Sequence, residues 1–314
     1  MQSVINIALP FFALIFTGYF AARSGLLGKT TVGGLNTFVF YFALPALLLV
    51  KTYEAPAADG AVMALLASYY LPGLALFTVM LLFVHRVLRL RIADAAIQAL
   101  GSTFSNVGFI GLPLVILLYG SEAALPAVLI VMGDNILMLG LATALVRGDL
   151  DQGRRNFAFV LRTLLGVIRN PIVTASLIGV SLNMLQAPMP EPILRYGGLL
   201  ADAAGPCALF ALGATLAARP IREGALETGH IVLVKLFVHP ALVATLAIGV
   251  FALPPIWAAV AILHAALPIA ANVYLLAQRY QRRPAQISTA IFVSTVIAVF
   301  TISLLISWLA PMPS

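Results

Sequence analysis

Two asparagines set among apolar residues are the first sign of chemistry in this sequence. Asn106 lies in the stretch 101–119, GSTFSNVGFIGLPLVILLY, beside Ser105, Gly108, Gly111 and Pro113. Asn272 lies in the stretch 258–280, AAVAILHAALPIAANVYLLAQRY, four residues after Pro268 and two before Tyr274. In a helix interior Gly costs about 1 kcal/mol and Pro about 3 kcal/mol relative to Ala, so both stretches should break. Broken backbone at membrane depth persists only where protein buries it or where it lines a wet cavity. Each break frees backbone N–H groups at the start of a half-helix, expected around residues 111–114 and 270–273. Such ends carry roughly half a positive charge and offer free donors, which suits a carboxylate. The two amides add neutral donors, so an anion can bind and still leave. That both asparagines merely satisfy carbonyls freed by the kinks is the other reading of the same residues.

Ionisable residues inside apolar segments are costly and so are functional candidates by default. Asp134, in VMGDNILMLG, and Asp202, in LLADAAGPCALFALG, could carry a coupling proton; helix-to-helix hydrogen bonding is the plainer role for Asp134. Lys235 sits two turns into its segment and could snorkel to the cytoplasmic surface, or else pair with a core carboxylate. His264, four residues before Pro268, could titrate near neutral pH or simply pack. Tyr274 could line a cavity beside Asn272 or belong to the core. His239-Pro240 reads as a kink, and the single cysteine, Cys207, as a small core residue.

The elements that position these residues follow from composition. The chain has 314 residues, 62% hydrophobic and 9% charged, against about 25% charged in soluble domains. It reads as an all-α integral membrane protein. No secretory leader is expected, because the first positive charge, Arg23, follows the first apolar run. Ten spans, each near the roughly 20 residues a bilayer requires, are expected at 4–22, 32–50, 62–84, 95–119, 123–146, 171–185, 193–217, 230–253, 256–278 and 286–309. On this plan 16 of the 18 Lys and Arg residues fall on one side, leaving only Lys51 and Arg195 on the other. Cytoplasmic loops carry the Lys/Arg excess, so both termini are expected on the outer side. Asn170-Pro171 suits a helix start, with Asn as cap and Pro at the first position. Before it, residues 157–168 read either as a short interfacial helix or as an early start of the sixth span.

Ten spans divide as five plus five, residues 1–147 and 171–314 around a connection at 148–170. An odd number per half inverts the second half, the plan of many secondary transporters. Asn106 and Asn272 stand 166 positions apart, and Pro72 and Pro240 stand 168 apart, nearly one offset. Paired interrupted spans at matching positions point to a binding site. Glycines such as Gly101, Gly205 and Gly213 would let helices approach closely.

SNVGFIGLPLVILLYG, the later HAALPIAANVYLLAQRY with its basic turn, and the ten-span plan resemble the auxin efflux carrier family over essentially the whole chain. The resemblance is to its bacterial members. It implies two inverted five-helix repeats whose fourth and ninth helices are broken and cross beside the substrate site. It also implies a scaffold part and a mobile part that work as an elevator. The substrate it implies is an organic anion, such as malate or malonate. Asn106 and Pro113 match the first crossing's pattern and Pro268 the second's proline, while Asn272 suits the bacterial pattern. The long hydrophilic central loop of plant auxin exporters is absent, which speaks against auxin.

No nucleotide-binding, metal-ligand or nucleophile motif occurs, so no enzyme and no cofactor are expected, and energy should come from a gradient. Sodium-coupled symport of the bile-acid type is the nearest alternative. It would need clustered oxygen ligands near the crossing, and neither broken span supplies an acidic one. A non-transporting receptor or sensor is the alternative from another class, though no loop is long enough for a signalling domain. The expected partners are a small organic anion and the lipid bilayer of the inner membrane. A homodimer stays open, and no nucleic acid is expected.

Overall fold

The computed structural model describes residues 2–55, 61–150, 170–217 and 225–309. Among them the protein is nearly all helix, and its extended backbone pairs at one isolated antiparallel bridge, Ser105 with Ile269. Six helical stretches are at once long and apolar enough to cross a membrane: Thr30–Tyr53, Val62–Val87, Val107–Leu150, Glu191–Ala217, Thr228–Val250 and Pro284–Leu309. Four shorter apolar helices, Phe12–Arg23, Ile92–Gly101, Pro171–Met184 and Pro255–Ala266, fall on the remaining expected segments. Residues 157–168 lie outside the described residues.

Local chemistry explains several limits. Asn170 caps Pro171–Met184, its side-chain oxygen accepting the Ile172 N–H at 3.0 Å, with proline at the first helical position where no donor is lost. Val107–Leu150 turns at Gly120, whose φ of 65° suits a residue without Cβ. Pro206 stays inside an unbroken Glu191–Ala217. Among the described residues six π-helical turns interrupt the α geometry, at Val39–Ala43, Phe83–Val87, Val107–Gly111, Asp134–Met138, Val234–Val238 and Thr245–Val250. Such turns are frequent at functional sites. Three of them begin at, or contain, a charged residue, Arg86, Asp134 and Lys235, and of these Asp134 and Lys235 are buried. The kink read at His239-Pro240 takes this form, the π turn Val234–Val238 running straight into His239–Ala244.

The chain divides into two compact units, each drawing segments from both sequence halves: Met1–Asp59, Gly108–Val128 and Gly166–Arg219 in one, and Gly60–Val107, Leu129–Leu165 and Pro220–Ser314 in the other. In the first unit Gln2–Arg23 packs along Glu191–Ala217. Glycines make the approach: the backbone of Gly213 meets that of Ile15 and Tyr19, and Gly18 meets the Phe210 carbonyl. Pro171–Met184 packs on Leu44–Tyr53, where Asn183 Nδ2 donates to the carbonyls of Tyr53 at 2.6 Å and Ala55 at 3.1 Å. In the second unit Gly133 leaves room for the Tyr70 ring, whose hydroxyl donates to the Ile130 carbonyl at 2.6 Å.

Candidate functional site

Two interruptions in the second unit hold each other. Ile92–Gly101 stops, and Ser102 and Thr103 turn their hydroxyls back onto the carbonyls of Gln98 at 3.0 Å and Ala99 at 3.2 Å. Helix resumes at Val107. Pro255–Ala266 stops likewise and resumes at Ala271. Across the gaps the Asn106 N–H donates to the Pro268 carbonyl at 2.9 Å, and the Ala270 N–H donates to the Phe104 carbonyl at 3.3 Å. The Ile269 N–H donates to Ser294 Oγ at 3.2 Å. Backbone freed from two helices is thereby paired within buried surroundings, as groups at membrane depth must be.

The first gap lies earlier than its helix breakers suggest. Residues 102–106 are non-helical, whereas Gly108 and Gly111 belong to the π turn Val107–Gly111, and Pro113 sits in the first turn of Leu112–Tyr119. A proline there loses no hydrogen bond, so the breakers shape the restart of the helix and the expected half-helix start at 111–114 moves to Val107. Gly108, Gly111 and Pro113 belong to the first unit, while Asn106, Pro268, Asn272 and Tyr274 belong to the second.

Asn106 is 6% exposed and Pro268 is buried, whereas Asn272, in the first turn of Ala271–Arg279, is exposed. Tyr274 is half-buried. Neither asparagine amide hydrogen-bonds within the described protein, so neither satisfies a kink carbonyl. Ala270, which caps Ala271–Arg279, supplies no capping side chain. The second gap therefore presents an uncapped helix start and an accessible amide together.

A second polar group lies deeper in the same unit. Asp134, Lys235 and His264 are each 0% exposed and His239 is 1% exposed. Lys235 does not snorkel. Its ammonium donates to the Ala265 carbonyl, one residue before the end of Pro255–Ala266, and contacts His239 Nδ1 at 3.5 Å. A lysine this far from any surface finds its partner in backbone instead of water. His264 Nδ1 bonds the Val260 carbonyl of its own helix at 2.8 Å. Asp134 feels the Lys235 charge without an ion pair inside 4.0 Å. The Tyr70 hydroxyl faces Asp134 but gives its proton to Ile130. Tyr69 stacks edge-on to His239 at 5.6 Å and turns its hydroxyl toward Ser105, without closing a good hydrogen bond. Asp202 is exposed on a helix of the first unit.

Residues 3–306 match a family model described as membrane transport protein. A Rhizobium meliloti (strain 1021) protein, provisionally named a malonate transporter, is 33% identical over 309 residues, covering 96% of this chain and 95% of that protein. An uncharacterized transporter of Methanothermobacter thermautotrophicus is 24% identical over 302 residues, covering 94% and 95%. A rice protein provisionally named auxin efflux carrier component 1b is 33% identical over 138 residues, covering 42% of this chain and 25% of that protein. This chain belongs to the auxin efflux carrier family. As a transporter of that family with several apolar helices, it is a multi-pass membrane protein.

Within this auxin efflux carrier family member, sequence reading misses Tyr69, Tyr70 and Ser294, and treats His239 only as a kink. One signal was available. Lys235 and His239 are four apart, so they lie on one helix face, where intramembrane polar residues gather. Ser294 has no such signal, because its role depends on a backbone N–H 25 residues away. Ser294→Ala is expected to leave the Ile269 N–H unpaired in a buried position, costing about 1–3 kcal/mol. A lower thermal midpoint of the detergent-solubilised variant, with Ser294→Thr closer to wild type, is the result to look for.

Proposed function

We propose that this protein is a secondary transporter of a small mono- or dicarboxylate, malonate or malate in type. In this reading the substrate binds in the second unit where the two gaps meet, against Asn106, Pro268 and Asn272. The observation that carries it is that both amides stay free of the kinks, one of them beside an uncapped helix start. A carboxylate there would accept from Asn272 and from first-turn N–H groups that point along a favourable dipole. Similarity to a relative whose name carries malonate supports the substrate class. Gly108, Gly111 and Pro113 would shape the restart of the first broken helix, and Tyr274 would flank Asn272.

The protein would be ten inverted-repeat spans in the inner membrane with both termini outside. The division into two compact units, each built from both halves, supports an elevator-like change of access. Uptake of labelled malonate and malate into liposomes holding the purified protein tests the assignment. Hydrogen bonds to a charged group are worth about 1.5–3 kcal/mol. Asn106→Ala and Asn272→Ala should therefore each lower kcat/KM by roughly 10- to 150-fold. Undiminished transport by both variants would remove the site from this place.

A further inference from the structure

We propose that one end of the second unit is a docking surface for the phosphate headgroup of an anionic phospholipid, held by Arg86, Arg89 and Arg283. The occupant is a lipid of the bilayer itself. The inference goes beyond the carboxylate reading above and does not depend on it.

Bonds between distant chain segments build this surface. Arg91 Nε donates to Asp149 Oδ2 at 3.3 Å, and the same oxygen accepts the Ala93 N–H at 3.4 Å. That joins the start of Ile92–Gly101 to the end of Leu139–Leu150. Arg147 Nε donates to the Tyr280 hydroxyl at 2.7 Å, and Arg282 stands 3.9 Å from Asp94. The turn between Ala271–Arg279 and Pro284–Leu309 therefore closes on the same helix ends. His85 Nδ1 donates to the Leu90 carbonyl at 2.9 Å and folds residues 88–91 back onto the Phe83–Val87 turn. All these segments belong to the second unit.

The charges on this face do not balance. Arg91, Arg147 and Arg282 are committed to protein partners, and Arg279 lies over the Tyr280 ring at 5.8 Å. Asp94 and Asp149 are already engaged by Arg282 and Arg91. Arg86, Arg89 and Arg283 remain, all exposed and with no hydrogen bond or ion pair among the described residues. Arg89 and Arg283 take left-handed backbone, with φ of 55° and 47°, which a non-glycine residue keeps only where its surroundings fix it. Apolar side chains stand among them: Phe83, Val87, Leu88 and Ile92 are also exposed. Mixed apolar and basic residues suit the boundary of a leaflet, where the first enter the acyl region and the second meet phosphates. A soluble anion would leave those apolar side chains in water. Guanidinium matches a phosphodiester in shape and can bond it through two N–H groups. On the expected topology this end faces the cytoplasmic leaflet, whose anionic lipids attract basic segments beside a span.

The test titrates the full-length protein, in a neutral detergent, with phosphatidylglycerol and separately with phosphatidylcholine of the same chains. Bound lipid is read by native mass spectrometry. Phosphatidylglycerol should bind wild type more tightly. An arginine at an anionic membrane surface is worth about fivefold in affinity, so combining Arg86→Gln, Arg89→Gln and Arg283→Gln should cost roughly 100-fold. Arg23→Gln with Arg195→Gln removes two exposed arginines of the first unit and should bind as wild type does. Equal binding of the two lipids by wild type, an arm that needs no variant, overturns the proposal. Undiminished binding by the triple variant overturns it, as does an equal loss in the Arg23 and Arg195 variant. Displacement of phosphatidylglycerol by equimolar glycerol phosphate would give the face to a soluble anion and overturn the lipid assignment.

Discussion

Lys235→Met is expected to destabilise the protein by about 3–5 kcal/mol, the range seen when one partner of a buried charged pair is removed. Methionine has a similar length and no charge, so little cavity results and the loss is electrostatic. The Ala265 carbonyl and His239 Nδ1 lose their cationic neighbour, and Asp134 is left as a buried carboxylate with no compensating charge. Adding Asp134→Asn to Lys235→Met should recover part of the loss, because the neutral amide no longer needs a counter-charge. Residues that share one electrostatic network are expected to be non-additive in this way. Thermal midpoints of the two single variants and the double variant, compared in one detergent, decide it. Wild-type stability of Lys235→Met, or strict additivity in the double variant, would contradict the account.

The second large effect is expected from Gly213→Leu in the first unit. A Cβ at Gly213 would fall on the Ile15 carbonyl and the Tyr19 nitrogen, which are backbone atoms that cannot rotate away as a side chain does. Gln2–Arg23 and Glu191–Ala217 would have to separate, losing the close packing that holds helices together where apolar burial supplies little drive. Overpacking commonly costs 1–3 kcal/mol, and an unyielding backbone puts this case at about 3 kcal/mol or more. Gly198→Leu is the control on the same helix, since a Cβ there meets nothing within 4 Å. Folded yield by size-exclusion chromatography should collapse for Gly213→Leu and stay near wild type for Gly198→Leu. Equal yields would mean that this approach is not what holds the two helices.

Much of the architecture is local chemistry and was readable. Apolar runs, glycine and proline breakers, and the Asn170-Pro171 start depend on neighbours within a turn or two, so they act the same in any fold. That Leu267–Ala270 interrupts its helix follows directly from Pro268. The first gap was displaced from its breakers because pairing of Phe104, Ser105 and Asn106 with Ala270, Ile269 and Pro268 decided where helix gave way, and those partners come from more than 160 residues further along.

The sequence by itself determined that the chain belongs in a membrane, which stretches are helical, and that two of them carry polar interruptions. Only the tertiary structure decided which polar groups serve which. It left the Asn106 and Asn272 amides clear of the kinks, took Lys235 inward to the Ala265 carbonyl, and set it near an aspartate 101 positions earlier in the chain. Hydrophobicity and helix propensity act over a few residues and specify where a side chain can be buried. Which buried charge faces which is fixed by the packing of distant helices, and no local pattern encodes it.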